Sequence, residues 1–263
     1  MFPTLLKFGS FEITTFGFMM FLGFLVAGIV LGRQFRQSGL GDDLASSVVL
    51  AGAVGGILGA KIYYAILYRS LDALWSRGGL VWYGGFIGGF LAVTWVIRRA
   101  RVSWLRAADG VAPALAIGYA LGRIGCFLVG DDYGRPTESW VGVAFPKGLP
   151  PTTADSLRGF GVAVDPTIPG DVLLRVHPTQ LYEAGASLIF FGLLVAMASR
   201  VKVPGRVFGM FLLLAGVERF LVEILRAKDD RFLGPLTVAQ VISVLLVLGG
   251  GWLLARKVKV EES

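Results

Sequence analysis

The sequence is poor in the residues that build disulfides and metal sites. It has one cysteine and one histidine, Cys126 and His177, among 263 residues. A single cysteine cannot form an intrachain disulfide, and there is no cysteine cluster to hold a metal. We therefore predict no metal site, and nothing in the sequence indicates an organic cofactor.

Charged residues are also scarce, at 16% of the chain, although the net charge is +7. The basic residues form no stripe interleaved with aromatic residues outside the apolar runs, so we expect no nucleic-acid partner. A positive net charge suits a protein that lies in an anionic membrane. The first apolar run lacks a basic start and a small-residue cleavage site, which favours a retained helix over a removed signal peptide.

Apolar residues dominate the composition. They make up 55% of the chain, whose mean hydropathy is +0.70, and several apolar runs approach the ~20 residues that cross a bilayer as a helix. The predicted fold is an all-α polytopic membrane protein with one integral membrane domain over residues 1–263. Residues 130–176 form a long polar loop or small head, in which 140–145 is compatible with a short strand. The seven predicted helices cover residues 14–32, 44–68, 79–97, 107–129, 179–199, 207–226 and 236–255.

The orientation follows from lysines and arginines, which are more frequent in cytoplasmic loops. With the C-terminus inside, twelve of them lie on the cytoplasmic side and ten outside. The N-terminus and the 130–176 loop are then extracytoplasmic. The twelve are Arg33, Arg36, Arg98, Arg99, Arg101, Arg106, Arg200, Lys202, Arg206, Arg256, Lys257 and Lys259.

Charged side chains fall inside predicted helices, among them Lys61, Arg123, Glu218, Arg219 and Glu223. A charge at membrane depth costs about 2.5–3.5 kcal/mol on insertion scales, so it is usually paired or functional. Arg219 and Glu223 are one helical turn apart and can neutralise each other. A second arginine on another helix, Arg123, favours a clamp in which two guanidinium groups hold a lipid phosphate.

A polar segment opens the fifth predicted helix. His177 precedes Pro178, and a lone histidine in such a position is more often structural than catalytic. Three hydrogen-bonding side chains follow within the next six residues. Together with His177 they place several polar groups at one membrane boundary. These side chains are Gln180, Tyr182 and Glu183. Cys126 follows Arg123 by one turn, and a buried cysteine usually acts as a small hydrophobic residue.

These stretches together resemble prolipoprotein diacylglyceryl transferases, the bacterial membrane enzymes that lipidate lipoprotein precursors. The resemblance rests on residues 78–89, 122–136, 177–183 and 219–223, the last followed by Asp229, and it spans nearly the whole chain. It implies transfer of the diacylglyceryl group of phosphatidylglycerol to the lipobox cysteine thiol of a prolipoprotein signal peptide, with release of glycerol phosphate. The implied location is the bacterial inner membrane, among membrane lipids.

The resemblance also implies residue roles. Arg123 and Arg219 match the family's essential arginines and would bind the phosphate, and Glu223 matches an important carboxylate. The other matching positions fall in the implied substrate site. Lys61 stands where an arginine is common in the family, and the resemblance implies a catalytic role for His177. They are Lys61, Cys126, Asp131, Gly134, His177, Gln180, Tyr182 and Glu183.

Three residues depart from the family pattern. Tyr83 stands in place of the histidine that is often proposed as a base, Cys126 replaces an asparagine, and Asp131 replaces a glutamate. A phenol has an ordinary pKa near 10 and is a weak base at neutral pH. Either no base is needed, or a group such as Tyr83 assisted by Lys61 supplies it, or the chain is a divergent paralogue.

Two other functions remain open at the level of sequence. The first is a paralogue that binds or moves anionic phospholipid without transferring a group from it, a hypothesis motivated by the absent histidine. The second is a helical scaffold or transporter whose buried charges are structural. Replacement of Arg219 by lysine would then be nearly harmless, whereas a transferase is expected to lose activity.

Overall fold

The computed structural model describes residues 1–9, 11–75, 81–228, 231–233 and 236–256. Four residues from the matching segments lie outside this part of the chain: Gly78, Gly79, Leu80 and Asp229. Lys257 and Lys259 from the charge count also lie outside it. Within it the chain forms eight α-helices and two small antiparallel hairpins. The hairpins pair β1 (Thr4–Phe8) with β2 (Phe11–Thr14), and β3 (Arg231–Leu233) with β4 (Leu236–Thr237).

Seven of the helices are long, and each contains most of one predicted helix. In chain order the eight are α1 (Thr15–Gln37), α2 (Asp42–Tyr68), α3 (Trp82–Arg99), α4 (Trp104–Val129), α5 (Ala154–Gly159), α6 (Thr179–Ala198), α7 (Arg206–Leu225) and α8 (Val238–Ala255). A 3-10 helix, Leu71–Trp75, lies between α2 and α3. The largest difference in bounds is at the end of α1, which continues through two arginines to Gln37. Gly39, whose φ is +70°, follows shortly after the helix end.

Five described helices are long and apolar enough to cross a membrane: α1, α2, α4, α6 and α8. The chain is therefore a helical, multi-pass membrane protein. The two other long helices are more polar, since α3 ends in Arg98 and Arg99 and α7 carries the ion pair of Arg219 with Glu223. The predicted number of seven membrane spans thus remains a prediction.

Helix α4 is the central helix of the bundle. It packs against α1, α6 and α7, and its buried face consists largely of alanine and glycine, which let neighbouring helices come close. The peripheral pair α2–α3 packs through glycines, and a Cβ at Gly59 or at Gly84 would overlap the backbone of the other helix. This arrangement places the ends of α4 and α7 and the start of α6 beside the 130–176 loop.

The 130–176 loop folds over those helix ends as a small head. Its apolar residues make a buried cluster that includes Tyr133, Phe145, Leu157 and Val176. The suggested strand at 140–145 is wrong, because this segment forms a turn and one isolated bridge, between Val143 and Val176. Packing of Phe145 into the cluster, rather than a continuous ladder, holds the segment in place.

Candidate functional site

The site begins where α4 ends. Gly130 has a φ of +79°, the left-handed conformation that commonly terminates a helix. The carbonyl oxygen of Cys126 accepts hydrogen bonds from the backbone N–H groups of Gly130 (2.8 Å) and Asp131 (3.2 Å). The chain therefore turns back over the last turn of α4, so that the next residue, Asp132, can reach Arg123.

Arg123 is buried and its guanidinium group is hydrogen-bonded on every nitrogen. Nη2 donates to Oε1 of Glu183 at 2.6 Å, and Nη1 donates to Oδ2 of Asp132 at 3.0 Å. Nε donates to the hydroxyl of Tyr119 at 3.0 Å, and this hydroxyl in turn donates to Glu183 at 2.7 Å. Arg123 is thus fixed in one orientation by residues from α4, α6 and the loop.

Helix α7 contributes two further arginines. Arg219 forms an ion pair with Glu223 one turn away, and its Nη1 lies 4.0 Å from Oε1 of Glu183. Arg226, directly after α7, donates to Oδ1 of Asp132 at 2.7 Å. Two carboxylates, Glu183 and Asp132, therefore link arginines from different helices into one cluster.

The start of α6 holds the loop against this cluster. Gln180 donates to the carbonyl oxygen of Asp131 at 2.5 Å, and Thr179 donates to that of Asp132 at 3.0 Å. Nδ1 of His177 lies 3.2 Å from the hydroxyl of Tyr182. Of the predicted site residues, Gln180 therefore fixes the backbone next to Asp132, and His177 contacts the side chain of Tyr182.

Gly134 allows the loop to approach α6 and α7. Its N–H donates to the carbonyl oxygen of His177 at 2.8 Å. A Cβ at this position would lie 2.7 Å from the carbonyl oxygen of Leu225, 2.8 Å from Cβ of His177 and 2.9 Å from a methyl group of Thr179. Only glycine fits there without a shift of the surrounding backbone.

The two adjacent loop aspartates differ electrostatically. Burial alone would raise the pKa of Asp132, but the charges of Arg226 and Arg123 outweigh it and lower that pKa below its usual range. For Asp131, burial raises the pKa, and the neighbouring Asp132 adds to the effect. Asp132 therefore ionises more readily than Asp131.

Several buried polar atoms at the cluster have no hydrogen-bond partner in the described part of the chain. Among them are Oε2 of Glu183 and Nη1 of Arg219. Glu218, the residue before Arg219, is also buried and its Oε1 likewise lacks a partner there. A buried polar group without a partner costs free energy, so these atoms are suited to binding a polar ligand. The described residues include no group of three or more potential metal ligands.

Not every predicted site residue joins the cluster. Tyr83 is 46% exposed in the first turn of α3, where its ring packs edge-on against Trp82. Lys61 lies partly exposed on α2, the helix against which α3 packs. The described ring contact of Tyr83 is with Trp82 and not with a residue of the arginine cluster. Cys126 does join the cluster, with its Sγ 3.9 Å from Nη1 of Arg123.

Sequence reasoning missed three residues of the cluster. Asp132 was passed over in favour of its neighbour Asp131, although only Asp132 pairs with arginines in the structure. Tyr119 and Arg226 were not predicted to belong to the site, although Tyr119 lies four residues before Arg123 and Arg226 lies seven residues after Arg219. That spacing was the available signal, because residues four or seven positions apart share a helix face.

Comparisons with a family model and with individual proteins indicate the same family. Residues 3–256 match the family model of prolipoprotein diacylglyceryl transferase. Proteins named phosphatidylglycerol–prolipoprotein diacylglyceryl transferase are similar over nearly their full length. The Geobacter sulfurreducens protein is 33% identical, covering 94% of this chain and 92% of its own. The Clostridium tetani protein is 30% identical, and the match covers 94% of this chain and 94% of its own. The Shewanella oneidensis protein is 32% identical, and the match covers 97% of this chain and 95% of its own.

Proposed function

Because the chain belongs to the prolipoprotein diacylglyceryl transferase family, we propose that it lipidates prolipoproteins at their lipobox cysteine. In this reaction the thiol sulfur attacks the glyceryl carbon that carries the phosphate of phosphatidylglycerol. A carbon–sulfur bond forms, the carbon–oxygen bond to phosphate breaks, and the thiol proton passes to a base or to the departing glycerol phosphate. The nucleophile belongs to the substrate, so the enzyme needs none of its own.

The observation that carries this proposal is the convergence of two helical arginines on one carboxylate. Arg123 and Arg219 come from different helices, and both approach Oε1 of Glu183. Without that carboxylate their like charges would repel each other at short range. Glu183, which the sequence assigned to substrate binding, is instead expected to position the two guanidinium groups. Glu223 has the same role toward Arg219 alone.

Held in this way, the arginines suit the phosphate of a lipid. The unpartnered Nη1 of Arg219 can donate to a phosphate oxygen, and Arg123 supplies a second, fixed positive charge. Such charges stabilise negative charge as the phosphate departs. They also favour the thiolate form of a nearby cysteine. Where the reaction needs a base of the protein, we propose Tyr83 assisted by Lys61 as the proton acceptor.

The other predicted site residues shape the cavity around the phosphate. Gln180 and Gly134 fix the loop, while His177 with Tyr182 lies at the mouth of α6. Cys126 and Asp131 are proposed to line the phosphate site next to Arg123. An apolar groove of about 230 Å³ runs between α7 and α8 and is suited to an acyl chain. The remaining membrane lipids would surround the exposed apolar helix faces.

We place the protein in the bacterial inner membrane with seven spans, α1–α4 and α6–α8. The N-terminus and the head at 130–176 would be extracytoplasmic and the C-terminus cytoplasmic. The cluster lies where α4 and α7 end and α6 begins. In this orientation the site faces the side from which a translocated signal peptide presents its cysteine.

The reaction can be tested directly by mass spectrometry of a lipobox peptide. Purified full-length protein in detergent is mixed with the peptide and phosphatidylglycerol. We expect the peptide to gain the mass of a diacylglyceryl group. A peptide with serine in place of its cysteine, and phosphatidylethanolamine in place of phosphatidylglycerol, serve as controls that should give no product. Unmodified cysteine peptide in the presence of folded, lipid-binding protein would contradict the proposed function.

A further inference from the structure

Asp132 occupies the position between two arginines that a phosphate would take. Its two carboxylate oxygens contact different guanidinium groups, with Oδ2 3.0 Å from Nη1 of Arg123 and Oδ1 2.7 Å from Nη2 of Arg226. A phosphate with two free oxygens can make the same pair of contacts, because arginine binds both anions through parallel N–H donors. Asp132 and a ligand phosphate therefore compete for the same donors.

The two carboxylates that contact Arg123 differ in how easily they can leave. Glu183 is fully buried, so separating it from Arg123 would strand a charge away from water. The side chain of Asp132 is 43% exposed, and a displaced carboxylate there would be hydrated. Of the two, Asp132 is the one a ligand can replace at low cost.

The backbone around Asp132 is fixed, so its displacement needs only a side-chain rotation. Its carbonyl oxygen accepts a hydrogen bond from Thr179, and that of Asp131 accepts one from Gln180. Arg226 is also well placed to retain its position without Asp132. It directly follows the last turn of α7, where the helix dipole favours a cation, and its N–H approaches the carbonyl oxygen of Glu223 at 3.4 Å.

We propose that Asp132 is a displaceable carboxylate that holds Arg123 and Arg226 in the free enzyme, yields them to the phosphate of the lipid, and returns to help release glycerol phosphate. The inference rests on the proposed function, in which a phosphate binds at Arg123. It adds Arg226 as a phosphate contact and gives Asp132 a role in product release, which neither the sequence motifs nor the family match assigns.

Product release is the step at which such competition is needed. The phosphate of the lipid is a diester with one negative charge. After the carbon–oxygen bond breaks it becomes a monoester, whose second ionisation has a pKa near 6, so that it carries close to two charges at neutral pH. The arginines therefore bind the product more strongly than the substrate. A local carboxylate that takes back the same donors lowers the affinity for both and speeds dissociation of the product.

Replacement of Asp132 by asparagine tests whether Asp132 competes with phosphate, because competition predicts tighter and not weaker binding of glycerol phosphate to the variant. Asparagine keeps the size of the side chain but removes the charge. If Asp132 competes with phosphate, binding of glycerol phosphate to Asp132→Asn should tighten by about three- to tenfold. The KM for phosphatidylglycerol should fall, and kcat should fall with it because product release slows. Asp171→Asn, at an exposed position of the same loop, is the matched control and should leave these values unchanged.

The measurement is calorimetric titration of glycerol phosphate into full-length protein in lipid-free detergent, with thermal unfolding followed to confirm that both variants fold. Weaker or unchanged binding to folded Asp132→Asn would overturn the inference and show that Asp132 serves only to position the arginines. If the wild-type protein bound glycerol phosphate no better than glycerol, the proposed function would fail and the inference with it. Tighter binding to Asp132→Asn supports the inference without relying on catalytic activity.

Discussion

The carboxylate of Glu183 joins two arginines from different helices. Its Oε1 lies 2.6 Å from Nη2 of Arg123 and 4.0 Å from Nη1 of Arg219, and the side chain is fully buried. Three helices thereby meet at one atom: α4 through Arg123, α6 through Glu183 and α7 through Arg219. The relative position of the two guanidinium groups, and hence the shape of the phosphate site, depends on this contact.

Glu183→Gln should lower kcat by about a hundredfold, because a small misplacement of positioned catalytic groups costs this much. The amide oxygen can still accept from Arg123, but the charge that offsets two arginines is gone. The rate of peptide lipidation gives the measurement, with Glu138→Gln, at an exposed position in the head, as the control. Full activity in Glu183→Gln would show that the arginines do not need this carboxylate.

Gly134→Ala should disturb the site without changing any polar group. The added Cβ would lie within 3 Å of three atoms, on Leu225, His177 and Thr179, so the loop must move away from α6 and α7. We expect a loss of about 2 kcal/mol in stability, as for other overpacked sites, and at least a tenfold loss of activity.

The matched control is Gly192→Ala in α6, where a Cβ would meet open space. Thermal unfolding in detergent and the lipidation rate are measured for both variants. Equal behaviour of the two would mean that the close approach of Gly134 to α6 and α7 is unimportant.

Sequence reasoning located the long helices and most of the cluster because both have strong local signals. Apolar runs mark the helices, and Arg123, Arg219 and Glu223 stand out as charges within them. The pairing of Asp132 could not be predicted in the same way. It depends on the left-handed turn at Gly130 and on the packing of the loop against Gln180, which are set by contacts between segments distant in sequence.

Tyr83 can be tested as the proton acceptor by comparing phenylalanine and histidine at this position. General-base catalysis contributes about 100- to 10,000-fold, so Tyr83→Phe should lose at least the lower value. Tyr83→His should be faster than the wild-type protein at pH 7, because an imidazole has an ordinary pKa near 6.5 whereas that of a phenol is near 10. The pH dependence of kcat measures both effects. If Tyr83→Phe matched the wild-type rate at every pH, the proton acceptor would have to lie elsewhere.

Asp131→Asn should stabilise the protein at neutral pH. Burial raises the pKa of Asp131 in the folded state, so ionisation costs folding free energy once the pH exceeds the pKa of the unfolded chain, about 3.9. The stabilising effect of asparagine should therefore grow as the pH rises above about 4 and vanish below it. The unfolding temperature is measured across this range, with Asp171→Asn as the control. A destabilised variant, or a difference that does not change with pH, would contradict the assignment.

The central claim is that Arg219 binds the phosphate that leaves when a lipobox cysteine is lipidated. The most direct test follows glycerol phosphate release from phosphatidylglycerol by the wild-type protein and by Arg219→Ala. We predict release that requires the cysteine of the peptide and falls by about 100- to 1,000-fold in the variant, the usual effect of removing a group that stabilises developing charge. Undiminished release from folded Arg219→Ala, or release that needs no cysteine, would contradict the account.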